Sequence, residues 1–485
     1  MLDNINKQLV KYGLNHFLTR YGLKGISTYT EKNQVIVEIH HDQLNTCDIA
    51  IIMPIIAQSN PTTKMGNITG YLRFDNQEIP LFITPAQIEP KAGDTTFAYF
   101  QNSSSYYPCV VASNDKLIMG FNLFVEAANI LSGVYDSYFL QQTQESRRTT
   151  CIPVVDILEM FIFDCIRRML LSKGIRLTAR PFWPEEKPFA LCLSHDVDRV
   201  YKTYQYARSL LRSVLTGNIS SCTVQIRSML TKHGNNNPFW CFDRIISLEE
   251  ELGVKSTFYF LNESGRLNPF NLQSWLLFTG GYRIDDPNIT NVIKQINTKG
   301  WEIGLHGSYY SFKNENLLLK EKWTLEDIVD NEISGIRQHY LNFDPDTTFE
   351  IQDSIGFRYD TTLGFNEGIG FRRGTCFPFH PYNPKTGEAF TLIEIPLIVM
   401  DCAIFSDRDL LDQCLEMMNK IASVGGVLTI LWHQRMFCEQ SFPEMSQTYK
   451  ELIQIAKGRN AWITTSDKLQ KWIRKRDDEN TSGCI

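Results

Sequence analysis

Apolar and polar positions along the first third of the chain follow more than one period. Val35-Ile36-Val37-Glu38-Ile39 alternates as a strand does. Ile51–Ile56 is a second strand candidate, and Pro54 within it points to an edge or a bulge. Tyr71–Phe74 and Ile79–Phe82 read as the two arms of a hairpin. Gly120–Leu131 and residues 153–173 place apolar side chains at helical spacing. Residues 1 to about 180 are therefore expected to form a mixed α+β domain. The run Arg180-Pro181-Phe182-Trp183-Pro184-Glu185-Glu186-Lys187-Pro188 closes it, because three prolines in nine residues end a helix.

The pattern then changes. Short apolar runs recur at Phe189–Leu193, Ser256–Phe260, Trp301–Leu305, Glu394–Leu397 and Val427–Trp432. Helical stretches separate them, such as Ile289–Lys299, closed by Gly300. This strand–helix rhythm predicts a parallel sheet or barrel with its site at the C-terminal strand ends. Residues 187–478 are expected to be that domain. Tyr201 to about Asp243 is long for one connection and should hold one or two helices, a candidate lid over the site.

Composition narrows the class of protein. The 485 residues are 43% hydrophobic and 21% charged, the balance of a globular chain of two or three domains. A core of that size needs no metal to fold, so any metal is expected to serve chemistry. The net charge of −6 and the lack of a long basic block exclude nucleic acid as the expected partner. Twelve cysteines are scattered with no CxxC, as in a reducing compartment. No stretch reads as a signal peptide or membrane span, so a cytoplasmic protein is expected.

Candidate chemistry sits just past three of the apolar runs. Asp196 and Asp198 follow Phe189–Leu193, His306 follows Trp301–Leu305, and His433 follows Val427–Trp432. A parallel barrel would gather them on one rim. Asp and His together suit Zn²⁺ or a similar divalent ion with an open position for water. One carboxylate can hold metal while its neighbour takes a proton from water. His433 can protonate a leaving group. His40-His41-Asp42 is a poor metal cluster, because adjacent strand residues face opposite sides.

Several segments carry a family resemblance: Ser194-His195-Asp196-Val197-Asp198, Ser256-Thr257-Phe258-Tyr259-Phe260, and Trp301 through Tyr309. Ile336–Leu341, Gly356–Gly364, Gly370–Thr375 and Leu431-Trp432-His433 continue it. Together they resemble the polysaccharide deacetylase (NodB-homology, carbohydrate esterase) superfamily, in the branch with an extra N-terminal domain. The resemblance implies a distorted (β/α) barrel and hydrolysis of an N- or O-acetyl group on a sugar. It implies Asp196 as catalytic base and Asp198 as metal ligand, although Val197 separates acids that the family usually writes adjacently. His306 matches the first metal histidine. Tyr310 stands where the second is usual, and His339 stands where the third motif has proline. His339 is a candidate for the missing ligand; packing or substrate contact is the other reading. The resemblance further implies Arg337 as the group orienting Asp196, the Tyr340 N–H as an oxyanion donor, and His433 as general acid. Trp432 would shape the acetyl pocket, and Asp360 and Arg372 would bind sugar hydroxyls or orient His433.

The expected partner is an acetylated carbohydrate and the expected cofactor a divalent metal, Zn²⁺ first. The oligomeric state is open. One rival is a catalytically inactive carbohydrate-binding or scaffold protein of the same fold, which the absent second histidine favours. A glycosidase using Asp196 and Asp198 is disfavoured, because acids two residues apart do not flank a sugar bond. No Gly-x-Ser-x-Gly elbow argues for a serine nucleophile.

Overall fold

The computed structural model describes residues 2–23, 26–31, 34–39, 48–54, 67–141, 143–203, 205–215, 217, 219–231, 234–263, 281–402 and 409–481. The His40-His41-Asp42 cluster lies outside the described residues. So do the last two positions of the Ile51–Ile56 run.

The N-terminal third holds an eight-stranded sheet. Its spatial order is Ile26–Glu31, Gln34–Ile39, Ile49–Pro54, Lys116–Met119, Tyr106–Ser113, Thr95–Gln101, Gly70–Phe74 and Gln77–Leu81. Neighbours pair antiparallel except Ile49–Pro54 with Lys116–Met119. The expected hairpin is the last pair, and its turn residues Asp75 and Asn76 take the positive φ angles of a tight hairpin turn. Ile49–Pro54 corrects an expectation. It is an interior strand with neighbours on both sides, and Pro54 is its last residue, so the missing N–H falls where pairing stops.

Both expected helices form here, as Leu123–Ser132 and Val154–Ser172. The first is capped by Asn122, whose side chain accepts from the Val125 N–H at 3.1 Å, and it ends at Gly133 with φ 84°. The second ties the two halves of the chain together. From the helix Leu2–Tyr21, buried Arg20 reaches Asp156 at 3.3 Å, Glu159 at 3.1 Å and the Val424 carbonyl at 3.0 Å. Asp156 in turn accepts from the Thr375 hydroxyl at 2.7 Å and the Cys376 N–H at 2.8 Å. One continuous apolar core runs through both halves.

The C-terminal part is a parallel sheet with strands in the order Ile393–Glu394, Tyr359–Asp360, Gly335–Gln338, Glu302–Gly307, Thr257–Leu261, Ala190–Val197, Val427–Leu431 and Val399–Met400. Trp462–Thr464 adds beside Ala190–Val197. The two ends of this path, Glu394 and Val399, are five residues apart in sequence. Five residues span at most about 17 Å. The sheet must curl back on itself, and the result is an open, distorted (β/α) barrel. Ala190–Val197 is an interior strand and is buried along its whole length. The connection after it folds as two helices, Gln205–Leu215 and Ile219–Thr231.

Candidate active site

Four barrel strands, Gly335–Gln338, Glu302–Gly307, Ala190–Val197 and Val427–Leu431, place the strand-end residues at one rim. The strand Ala190–Val197 alternates in the expected way. Ser194 and Asp196 face Arg337, while His195 turns the other way. His195 meets the Trp432 carbonyl at 2.6 Å and Glu249 at 3.0 Å, within a buried network that includes the Tyr449 hydroxyl. His195 is therefore a structural histidine, although it stands inside the motif.

Arg337 is fully buried, and the protein fixes every edge of its guanidinium. Nη1 donates to Asp196 Oδ1 at 2.8 Å and to Ser194 Oγ at 3.0 Å. Nε donates to the Thr361 carbonyl and Nη2 to the Thr361 hydroxyl, both at 3.1 Å. The plane lies 4.5 Å from the Tyr259 ring centroid. Burial pushes the Asp196 carboxyl up, but Arg337, His306 and His433 outweigh it and hold the carboxyl below its ordinary value.

His306 faces the other Asp196 oxygen, with Nε2 3.6 Å from Oδ2. Its Nδ1 lies 2.9 Å from the Arg337 carbonyl, which can only accept, so Nδ1 carries the proton. Burial lowers the His306 pKa to about 4 against the pull of Asp196. The neutral ring thus presents a lone pair to a carboxylate. His339 is buried 5.0 Å from the His306 ring, and its Nδ1 has no hydrogen-bond partner. Glu263 Oε2 lies 3.8 Å from that nitrogen and accepts from the Tyr309 N–H at 3.1 Å. Two imidazole nitrogens beside carboxylates, with no proton donor assigned to them, are the donor set that a divalent cation fits.

Asp198 is placed differently from the expectation of a ready metal ligand. It pairs with Arg435, and Arg435, His433 and His339 overcome the effect of burial to hold its carboxyl far below the usual range. Ligand atoms of Asp198, His306 and His339 do not all come within 4.8 Å of one another. Among the described residues the one group of three that does is Asp401, Cys402 and His433. Within it, His433 Nδ1 lies 2.8 Å from Asp401 Oδ1, and the His433 N–H also donates to Asp401. Burial would lower the His433 pKa, but Asp401 reverses this and the net shift is upward.

Three substrate-side expectations change. Asp360 lies under the rim, fully buried, and accepts from Gln352, from the Thr362 hydroxyl at 2.6 Å and from the Thr362 N–H. Arg372 is buried and turns to the Gly364 carbonyl at 3.3 Å and toward Asp136 at 3.7 Å, because Asp136 supplies a counter-charge from the N-terminal part. Trp432 is wholly buried, with its ring 5.7 Å from that of Tyr449. Tyr340 does stand at the surface, 44% exposed, as does Tyr310 at 54%. Their rings flank Tyr309 edge-on at 5.7 and 4.9 Å. Sequence reasoning missed Asp401, Glu263 and Arg435. Asp401 ends the apolar run Ile395–Met400, and Glu263 lies two residues past Thr257–Leu261, the same signal that marked Asp196 and Asp198.

No protein-family model matches the chain, and no curated protein matches it. Solved structures do. A probable polysaccharide deacetylase from Pseudomonas aeruginosa PAO1 is 14% identical, with a TM-score of 0.40, covering 63% of this chain and 97% of its own. A peptidoglycan deacetylase from Bacillus subtilis is 11% identical, with a TM-score of 0.30, covering 60% and 95%. A CE4 family pseudoenzyme from Bacillus anthracis is 12% identical, with a TM-score of 0.31, covering 61% and 73%. Each of these likenesses covers about three-fifths of this chain.

Proposed function

We propose that the chain hydrolyses an acetyl group on a carbohydrate, with Asp196 as base and His433 as acid. The observation that carries this reading is Asp196 itself. It is buried and held ionised by Arg337, it faces the unprotonated edge of His306, and it feels the charge of His433 from the neighbouring strand. A base must be ionised and an acid protonated at the same pH, and these two neighbours are shifted in those opposite directions.

In this reading Asp196 takes a proton from water, and the water oxygen adds to the acetyl carbonyl carbon. The Tyr340 N–H is the donor assigned to the developing oxyanion. Asp401 orients His433, which gives its proton to the leaving amine or alkoxide as the bond to the acetyl carbon breaks. Acetate departs without a covalent enzyme intermediate. His306 and His339 would hold the divalent ion, with Asp198 joining them only on release from Arg435; when bound the ion polarises the carbonyl and acidifies water. The tyrosines at 309, 310 and 340 offer ring faces against which a sugar can stack. A division into residues 1–180 and 187–478 belongs to the same proposal.

A second reading is favoured by Asp198 and Tyr310. Asp198 is bound by Arg435, and Tyr310 offers no imidazole, as suits a non-catalytic glycan-binding relative of the fold. Acetate release from a panel of acetylated sugars, with added Zn²⁺ and with chelator, separates the two. Release that the chelator abolishes supports the hydrolase. No release from any substrate, with glycan binding retained, supports the binding protein.

A further inference from the structure

The helical hairpin after Asp198 is built inside out. Among the described residues the buried positions on Gln205–Leu215 are Tyr206 and Ser213, and on Ile219–Thr231 they are Gln225 and Ser228. These polar side chains bond across the seam and to the barrel. Tyr206 Oη lies 2.9 Å from Ser228 Oγ, and buried Lys202 donates to Gln225 at 2.8 Å and to Ser441 at 2.9 Å. Among the described residues the outward side is rich in large apolar side chains. Leu211, Val214, Leu215, Ile219, Met229 and Leu230 are between 52% and 78% exposed. An apolar outer face over a polar seam reverses the pattern of a helix solvated by water.

Charge identifies what meets this face. Beyond the buried Lys202, from Thr203 to Phe242, the chain carries three arginines and one lysine and not one Asp or Glu, although the whole protein is acidic. A second copy of this segment would bring like charges together. A bilayer with anionic headgroups complements both the cations and the apolar side chains. The longer helix has 13 residues, or about 20 Å at ~1.5 Å per residue, against a hydrocarbon core of about 30 Å. The hairpin is long enough to lie in the interface and too short to cross.

We propose that this hairpin docks the protein on an anionic lipid surface. Its base is pinned at the rim, since Lys202 lies four residues past Asp198 and bonds Ser441, eight past His433. Docking would therefore hold the cleft beside glycans carried on that surface; this last step alone rests on the deacetylase reading.

The test is co-sedimentation of the full chain with vesicles of phosphatidylcholine alone or mixed with phosphatidylglycerol. Binding is expected only to the mixed vesicles, weakening as salt rises. The double variant Leu215→Ser/Ile219→Ser, at exposed positions outside the cleft, is expected to lose at least about tenfold in binding while acetate release from a soluble substrate is unchanged. Absence of wild-type binding, or binding unaffected by the double variant, overturns the proposal. Sedimentation equilibrium without lipid covers the rival occupant: an oligomer that the double variant dissociates, with no vesicle binding, assigns the face to self-association instead. Vesicle binding without acetate release from any substrate would leave docking standing and remove the deacetylase reading.

Discussion

The Nε2 lone pair of His306 faces Asp196 Oδ2 at 3.6 Å, because Nδ1 is committed as donor to the Arg337 carbonyl. Two electron-rich atoms so placed, in a buried site, repel unless a cation lies between or beside them. His306→Ala is expected to lower the bound-metal content of purified protein by at least about tenfold, the scale on which even outer groups affect metal affinity. His339→Ala should do the same if its unpartnered Nδ1 serves the same ion. Metal analysis checks both, and unchanged stoichiometry in His339→Ala would remove it from the ligand set.

Arg337 controls the protonation of Asp196. Without the guanidinium, burial acts less opposed and raises the carboxyl pKa. A carboxyl with a lowered folded pKa contributes stability that is present above its unfolded pKa and lost as pH falls through the folded value. Arg337→Met should therefore move the acid limb of kcat/KM to higher pH. It should also destabilise the fold by about 3–5 kcal/mol, the usual cost of orphaning one buried charge. A pH profile and a denaturant titration read the two effects separately.

Asp401 acts on the other limb. It raises the His433 pKa, so the acid form persists to higher pH. Asp401→Asn should lower that pKa and shift the alkaline limb downward, with kcat near neutrality falling by about 10²-fold, within the range for general acid catalysis. An alkaline limb that stays in place would show that another group is the acid.

The barrel and its rim were legible because they rest on local signals. Short apolar runs, glycines after helices and polar residues at strand ends each follow from backbone geometry. The proposed roles of Asp196, His306 and His433 start from such signals. The burial of Asp360, Arg372 and Trp432 was not legible, because sequence position does not say which side of a short strand or loop a side chain takes. Asp360 sits in a two-residue strand, where alternation has no length over which to show. Arg372 turned to Asp136, more than two hundred residues earlier, and no periodicity carries that pairing. The inside-out hairpin was legible as one or two helices but not as a surface. Its apolar stripe reads as core until burial shows which face is turned out.

Arg20 makes the same kind of long-range link, and it is structural. It satisfies two buried carboxylates on one helix and a carbonyl at Val424 on the barrel side. Arg20→Met leaves Asp156 and Glu159 without their guanidinium and should cost about 3–5 kcal/mol. Thermal melting is expected to become earlier. Limited proteolysis should show cleavage near residues 180–188 in the variant before the wild type.

Tyr340 separates a backbone role from a side-chain role. Its φ of 59° lies in the left-handed region, which costs a non-glycine residue about 1–2 kcal/mol. Tyr340→Gly removes that strain, sets against it about 0.5–1 kcal/mol of chain entropy, and keeps the N–H. Stability should therefore change by less than about 1 kcal/mol. If the N–H is the oxyanion donor and the ring a sugar platform, kcat should hold within about threefold, because the donor remains. KM should rise by about five- to tenfold, because an exposed aromatic contact worth about 1 kcal/mol is lost. Steady-state kinetics on a soluble acetylated oligosaccharide decides it. A hundredfold fall in kcat with KM unchanged would place the ring in the chemistry and take the platform role away from Tyr340.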